Sequence, residues 1–487
     1  MFPDYIYCKS SADCYNRILI YDNDGLNERT RFYSYFVNHG YKTMKYIDDL
    51  DIRVNHSCFI DDKKGKYVII AREDMYIPYD ILSVYHIFNA SLSELFSKLN
   101  PTELRNISNL NYDLLAEAYK TCFDDCSNRR KTKDFIDNIV YSKENVAKYL
   151  DENNRILHNL ADTAINFEDW FKISELKAFI DRSAAEYSLS LLTDDVHYRF
   201  VDYILYEFGK LSSMQSRRSP VLVSKAMDFM HENSDKFAII VMDGMSEFDW
   251  QILSQGMTEL KYNKTSIMAM IPTTTSISRQ CLLSDKYPVQ LIEPWKQTKE
   301  RQEFVSCAKS LGYNEQQIGY ERGYDVDFGN SVKCAAIIIN DIDDIVHAQL
   351  RGRVGMYNDV KSIAEASKLT ELVKKLLLKG FDVYISADHG NTPCTGIGSP
   401  RKNGVEIETK SRRMIIVNKI ADKESLIKGY GLIDYPKYYL NKEYDYLICN
   451  VGESFDIKDK KVISHGGITI DEVIVPFITF KAVENNG

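Results

Sequence analysis

The chain lacks most of the signatures that assign a protein quickly. None of its ten cysteines forms a Cys-x-x-Cys pair. The closest two are Cys122 and Cys126, and the rest are scattered without the framework of a disulfide scaffold. They read as reduced thiols. No apolar run approaches the ~20 residues of a membrane span, so no membrane partner is expected. The opening Met1-Phe2-Pro3-Asp4-Tyr5 lacks the charged-then-apolar pattern of a signal peptide. Thiols and termini together point to a cytoplasmic protein. Excess positive charge is missing too: the formal net charge is -9. That excludes a broadly basic surface for nonspecific duplex binding. Short basic runs at Arg129-Arg130-Lys131 and Arg217-Arg218 read as solvated faces. There is no internal repeat and no low-complexity tract. What is present is an ordinary globular balance, 44% hydrophobic and 27% charged over 487 residues, enough for about three domains.

Glycine and proline are absent from Thr102 to Phe208. Without these breakers, regular helices are expected there. Phe200, Val201, Ile204, Leu205 and Phe208 recur at three- and four-residue spacing, which supports that reading. Before this region, 17–21 and 67–70 read as buried strands, 22–25 as a turn, and 28–38 as a helix ending before Gly40. Asp22 and Asp24 are either an acidic ligand pair or a polar turn. From 236 onward, apolar runs at 237–242, 266–271, 334–339, 383–386, 414–417 and 473–478 read as strands covered on both faces. A helix is expected over 360–378, closed by Gly380. The fold class is therefore α/β. A small α/β domain (1–101) and a helical region (102–230) precede a mostly parallel sheet flanked by helices (231–487).

In such sheets ligands gather at the carboxyl ends of the strands, and five motifs lie there. Asp243-Gly244 follows the first run and also suits a turn. Pro272-Thr273-Thr274-Thr275 with Arg279 follows the second. A threonine there can cap a helix, or present a nucleophile where helix amides and an arginine favour phosphate. Asp343 and His347 are four apart and share one helix face, with Asp341 as an alternative ligand. Asp388-His389-Gly390 follows the fourth strand. His465-Gly466-Gly467 precedes the last run, and its glycines permit close approach or positive φ. Nine histidines occur in the chain, and all three beyond Phe237 fall in these motifs.

Here the sequence resembles the alkaline phosphatase superfamily and, within it, the PglZ-domain proteins. The resemblance covers 236–481. It rests on Val241-Met242-Asp243-Gly244-Met245, on Pro272 to Thr275 with Arg279 and Tyr287-Pro288, and on Asn340 to His347. Ala387-Asp388-His389-Gly390 and His465-Gly466-Gly467 with Glu472-Val473-Ile474-Val475-Pro476 complete it. Text around Tyr21-Asp22 and Arg29 also looks like phage-defence PglZ proteins of BREX-like systems. The resemblance implies two divalent metal ions, zinc first, with manganese or magnesium as alternatives. Asp343, His347 and His465 would bind one. Asp243, Asp388 and His389 would bind the other, with Thr275 bridging to it as nucleophile and Thr274 as the runner-up. Arg279 would hold a nonbridging phosphate oxygen. The implied activity is a phosphatase or phosphodiesterase acting on a phosphoester, nucleic acid or a nucleotide among the classes. Sulfate esters are disfavoured, because Thr275 cannot supply a formylglycine. Protein partners of an antiviral defence system are implied as well. The alternative is a metal-binding scaffold or regulatory subunit in such a complex. Oligomeric state stays open.

Overall fold

The computed structural model of the chain describes residues 2–190, 193–400, 406–407, 411–418 and 423–482. They divide into two compact units, Met1–Glu152 and Asn153–Gly487.

The first unit is built on four parallel strands, β1 (Arg17–Tyr21), β2 (Lys42–Lys45), β3 (Tyr67–Ala71) and β4 (His86–Asn89), in the order β2-β3-β1-β4. All five residues of β3 are buried, as their unbroken apolar run requires. The helix expected over 28–38 is two short helices, Leu26–Thr30 and Tyr33–Asn38. Arg31 between them takes a left-handed backbone, φ 50°, which ends the first before the apolar spacing runs out.

The second unit carries the larger sheet. Its strands are β5 (Phe237–Met242), β6 (Asn263–Met268), β7 (Ile318–Arg322), β8 (Cys334–Ile339), β9 (Asp382–Ser386) and, much later, Ile474–Phe480. Smaller strands intervene: β10 (Thr392–Gly396), β11 (Glu406–Ile407), β12 (Met414–Asn418), β13 (Ile433–Asp434), β14 (Tyr444–Ile448), β15 (Glu453–Ser454) and β16 (Lys461–Ser464). Ile474–Phe480 is thus β17. The large sheet has the order β6-β17-β9-β5-β8-β7. Pairs among β5, β7, β8 and β9 are parallel, whereas β17 runs antiparallel to both β6 and β9. Every residue of β5 and β8 is buried, so both faces of these strands are covered. Each fully buried Ile or Val there contributes about 1.5–3 kcal/mol. The 414–417 run forms a strand outside this sheet, in an antiparallel sheet ordered β11-β12-β14-β13.

Two boundaries differ from the sequence reading. The strand expected at 266–271 begins three residues earlier and stops at Met268. Its first half, Asn263-Lys264-Thr265, is polar and only partly buried, as an edge strand tolerates. The helix expected over 360–378 is two helices, Gly352–Glu365 and Lys368–Leu378, broken where Ser367 adopts φ 57°. Because β17 is antiparallel, its first residue Ile474 pairs with Met268 at the end of β6. The loop leading into β17 therefore reaches the same sheet edge as the carboxyl ends of β5, β8 and β9. No helix among the described residues is long and apolar enough to cross a membrane.

Candidate metal centre

That edge collects all five motifs. Asp243 follows β5, and Gly244 turns the chain with φ 73°. The positive φ is what calls for a glycine, since a Cβ at position 244 would meet Asp343 only at an ordinary contact distance of 3.4 Å. The helix Asp341–Ala348 starts right after Asn340. Asp343 and His347 are then one turn apart, with Nε2 to Oδ2 at 3.3 Å. Asp341 is engaged elsewhere, accepting from the Tyr324 hydroxyl at 2.8 Å. Asp388 and His389 follow β9, and His465 follows β16.

Two sets of three residues place their ligand atoms within 4.8 Å of one another: Asp343, His347 and His465, and the fully buried Asp243, Asp388 and His389. His465 Nε2 lies 3.6 Å from Asp343 Oδ1. His389 Nε2 lies 3.7 Å from Asp243 Oδ1 and 3.8 Å from Asp388 Oδ2. The sets touch through His389 and His465, whose rings stack with centroids 4.1 Å apart and planes within 12°.

The surrounding hydrogen bonds leave one face of each ligand open. His389 Nδ1 donates to the Gly390 carbonyl and His465 Nδ1 to the Thr273 carbonyl, each at 3.0 Å. Both therefore direct an Nε2 lone pair inward, the arrangement that fixes the tautomer of metal-binding histidines. Asp388 Oδ1 accepts from the amides of Gly244 and His389. Asp243 Oδ2 accepts from Arg279 Nη1 at 2.5 Å. Their other oxygens, Asp388 Oδ2 and Asp243 Oδ1, are buried with no hydrogen-bond partner, and so is Asp343 Oδ1. A buried polar atom without a partner costs roughly 1–3 kcal/mol, more when charged. Three such oxygens, each in one of the two sets, fit a pair of cations.

The electrostatics agree. Burial first, and the neighbouring Asp243 carboxylate second, push the Asp388 carboxyl well above its usual range. Burial alone would raise Asp343, but the hydrogen bond from His347 and the imidazoles of His465 and His389 hold it well below. Burial, with His389 next to it, pushes His465 down to about 4, so it is a neutral donor at pH 7. The hydrogen bond that His347 donates to the Asp343 carboxylate raises His347.

Thr275 is the first residue of the helix Thr275–Ser284, with Thr274 as its N-cap. Thr275 Oγ1 lies 3.1 Å from His389 Nε2. Thr274 is buried and its hydroxyl is unpartnered. Arg279, expected from the sequence to hold a phosphate oxygen, is buried, and its Nη2 has no hydrogen-bond partner. It is 0% exposed, and its guanidinium donates to Asp243 and, from Nε at 2.7 Å, to Glu300. An arginine one turn after the threonine points inward because Glu300 waits there to neutralise it.

Several supports surround the ligands. The Thr273 hydroxyl donates to the Gly467 carbonyl at 2.8 Å and accepts from the Gly466 amide at 3.0 Å, tying the His465 loop to the threonine run. Asn391 donates to the Gly244 carbonyl and to Asp249. Arg353 holds Asn391 and Asp471, and buried Lys177 also binds Asp471. Of the two glycines after His465, Gly466 takes φ 111° and Gly467 lies against the Arg413 guanidinium. A Thr-rich run could have flagged Thr273; the others act across the fold.

The fold is that of an alkaline-phosphatase-like domain. Residues 221–480, more than half of the chain, match the family described as the BREX system PglZ alkaline phosphatase-like domain. The chain belongs to this PglZ family, within the alkaline phosphatase superfamily of phosphoester hydrolases. No curated protein matches it. Among solved structures, murine ectonucleotide pyrophosphatase/phosphodiesterase 5 is similar at 12% identity and TM-score 0.37, covering 50% of this chain and 88% of that one. Phosphonoacetate hydrolase from Sinorhizobium meliloti 1021, in complex with phosphonoformate, is similar at 9% identity and TM-score 0.35, covering 52% and 92%.

Proposed function

We propose that this PglZ protein is a metal-dependent phosphatase or phosphodiesterase with Thr275 as its nucleophile. The observation that carries the reading is the set of three buried, unpartnered carboxylate oxygens, on Asp243, Asp343 and Asp388, beside the Thr275 hydroxyl. Two divalent ions, zinc first with manganese or magnesium as alternatives, would be held by Asp343, His347 and His465 and by Asp243, Asp388 and His389, supplying Lewis acidity at phosphorus and a lowered pKa for the Thr275 hydroxyl.

The chain's own residues do the rest. Thr275 stands at a helix start, where first-turn amides favour an anion. Its Oγ1 attacks phosphorus, the ester oxygen leaves, and the phosphothreonine is cleaved by water. His389 and His465 keep their Nε2 atoms aimed inward through Nδ1 bonds to backbone carbonyls. Arg279 acts as a positioning residue, holding Asp243 in place. The substrate is a phosphodiester, an oligonucleotide or a nucleotide, in an antiviral defence setting with protein partners; a phosphomonoester is the nearest rival.

The test is turnover of bis(p-nitrophenyl) phosphate with zinc present. Thr275→Ala should abolish it, and undiminished turnover would sink the assignment. Metal analysis and turnover together separate the enzyme from a metal-binding scaffold: the enzyme should hold about two equivalents per chain and lose turnover when they are removed, whereas the scaffold would hold metal without turnover.

A further inference from the structure

Arg279 is buried, with Nε and Nη1 committed to Glu300 and Asp243, so a cation that faces the cleft is better placed to meet a substrate phosphate. The cleft over the site has a volume of about 680 Å³ and is lined by Thr275, Asp343, His347 and His465. Arg412 is the one arginine among its described lining residues. Its backbone is anchored: its carbonyl accepts from the Phe455 amide at 2.7 Å, and the next residue, Arg413, is fully buried with Nε 3.1 Å from Glu472. Its head is not. The Arg412 side chain is 41% exposed, and the nearest carboxylate among the described residues, on Asp456, is 3.7 Å away. That is well beyond the roughly 2.7–2.9 Å of a charge-assisted hydrogen bond. The guanidinium makes no hydrogen bond to a described residue. Lys296 lines the same cleft, but its ammonium is 2.5 Å from Glu293. A fixed stem carrying a planar fork that, among the described residues, is paired only loosely with Asp456 suits bidentate recognition of phosphate oxygens.

Building on the hydrolase reading above, we infer that Arg412 is the residue that grips the nonbridging phosphate oxygens of the substrate. Arg412 and Arg279 thus divide the work expected of one arginine: Arg412 faces substrate, and Arg279 faces a ligand.

The experiment uses the full zinc-loaded chain as wild type, Arg412→Ala and Arg412→Lys. Three quantities are read: zinc content, affinity for inorganic phosphate by calorimetry, and kcat and KM for bis(p-nitrophenyl) phosphate. Arg412→Ala should keep its zinc, bind phosphate about tenfold more weakly, and lose about a hundredfold in kcat/KM. Arg412→Lys should recover part of the phosphate affinity. Unchanged phosphate affinity and kcat/KM in Arg412→Ala would overturn the inference alone, as would loss of zinc, which would mean a role in the fold. A wild-type chain without bound metal, or full turnover by Thr275→Ala, would overturn the hydrolase reading and this inference with it.

Discussion

Both units place an aspartate directly after their first parallel strand, Asp22 after β1 and Asp243 after β5. Their fates differ. Asp22 accepts from the amides of Leu26 and Asn27 at 2.7 and 2.8 Å, one on each oxygen, and so caps its own helix. Asp24 beside it accepts from the Leu92 amide and from Arg105. The acidic pair that could have been a ligand set is a polar turn with its oxygens satisfied. Asp243 has one oxygen held by Arg279 and the other buried without a partner. At the same position in a strand-turn-helix unit, satisfied oxygens mark structure and an orphaned one marks a site.

That contrast can be broken experimentally. The largest effect is expected from Thr275→Ala, with turnover falling by a factor on the order of 10⁴ or more; chelation should match it, and added zinc should reverse only the chelation. Asp243→Asn comes next. Metal content should drop from about two equivalents to about one, measured by elemental analysis, with the fold intact by circular dichroism. Arg279→Met should cost about 3–5 kcal/mol, because Asp243 and Glu300 lose a buried counter-charge. A lower midpoint in urea and weaker zinc retention would show it, and an unchanged midpoint would count against the positioning role. Asp22→Ala should be the mildest. It loses a helix cap worth about 1 kcal/mol, visible as a small fall in Tm, with metal content and turnover at wild-type levels. If Asp22→Ala instead released metal, the distinction between the two aspartates would fail.

Much of the sheet was legible because β5 and β8 are covered on both faces, so their residues are all apolar and the runs stand out. β6 was less so, since its polar outer half belongs to an edge. The break at Ser367 was hidden by apolar spacing that continues through it. At the site, residues just after strands were readable, and the three histidines beyond Phe237 concentrated there. Asn391, Arg353 and Asp471 were not, because each works by hydrogen bonds to groups far away in sequence. Arg279 shows the remaining limit. Its spacing from Thr275 was read correctly, but which way a side chain points depends on Glu300, and local sequence does not reveal that.

The antiparallel β17 has a consequence for the order of events during synthesis. It inserts between β6 and β9, and His465 emerges only shortly before it. A ribosome that has made everything through Gly390 has delivered Asp243, Asp388, His389 and Thr275, but Asp343 and His347 still await their third partner. Both β6 and β9 also lack a neighbour. The nascent chain therefore carries an open sheet, and the step that closes it also brings His465 to the candidate set of Asp343 and His347.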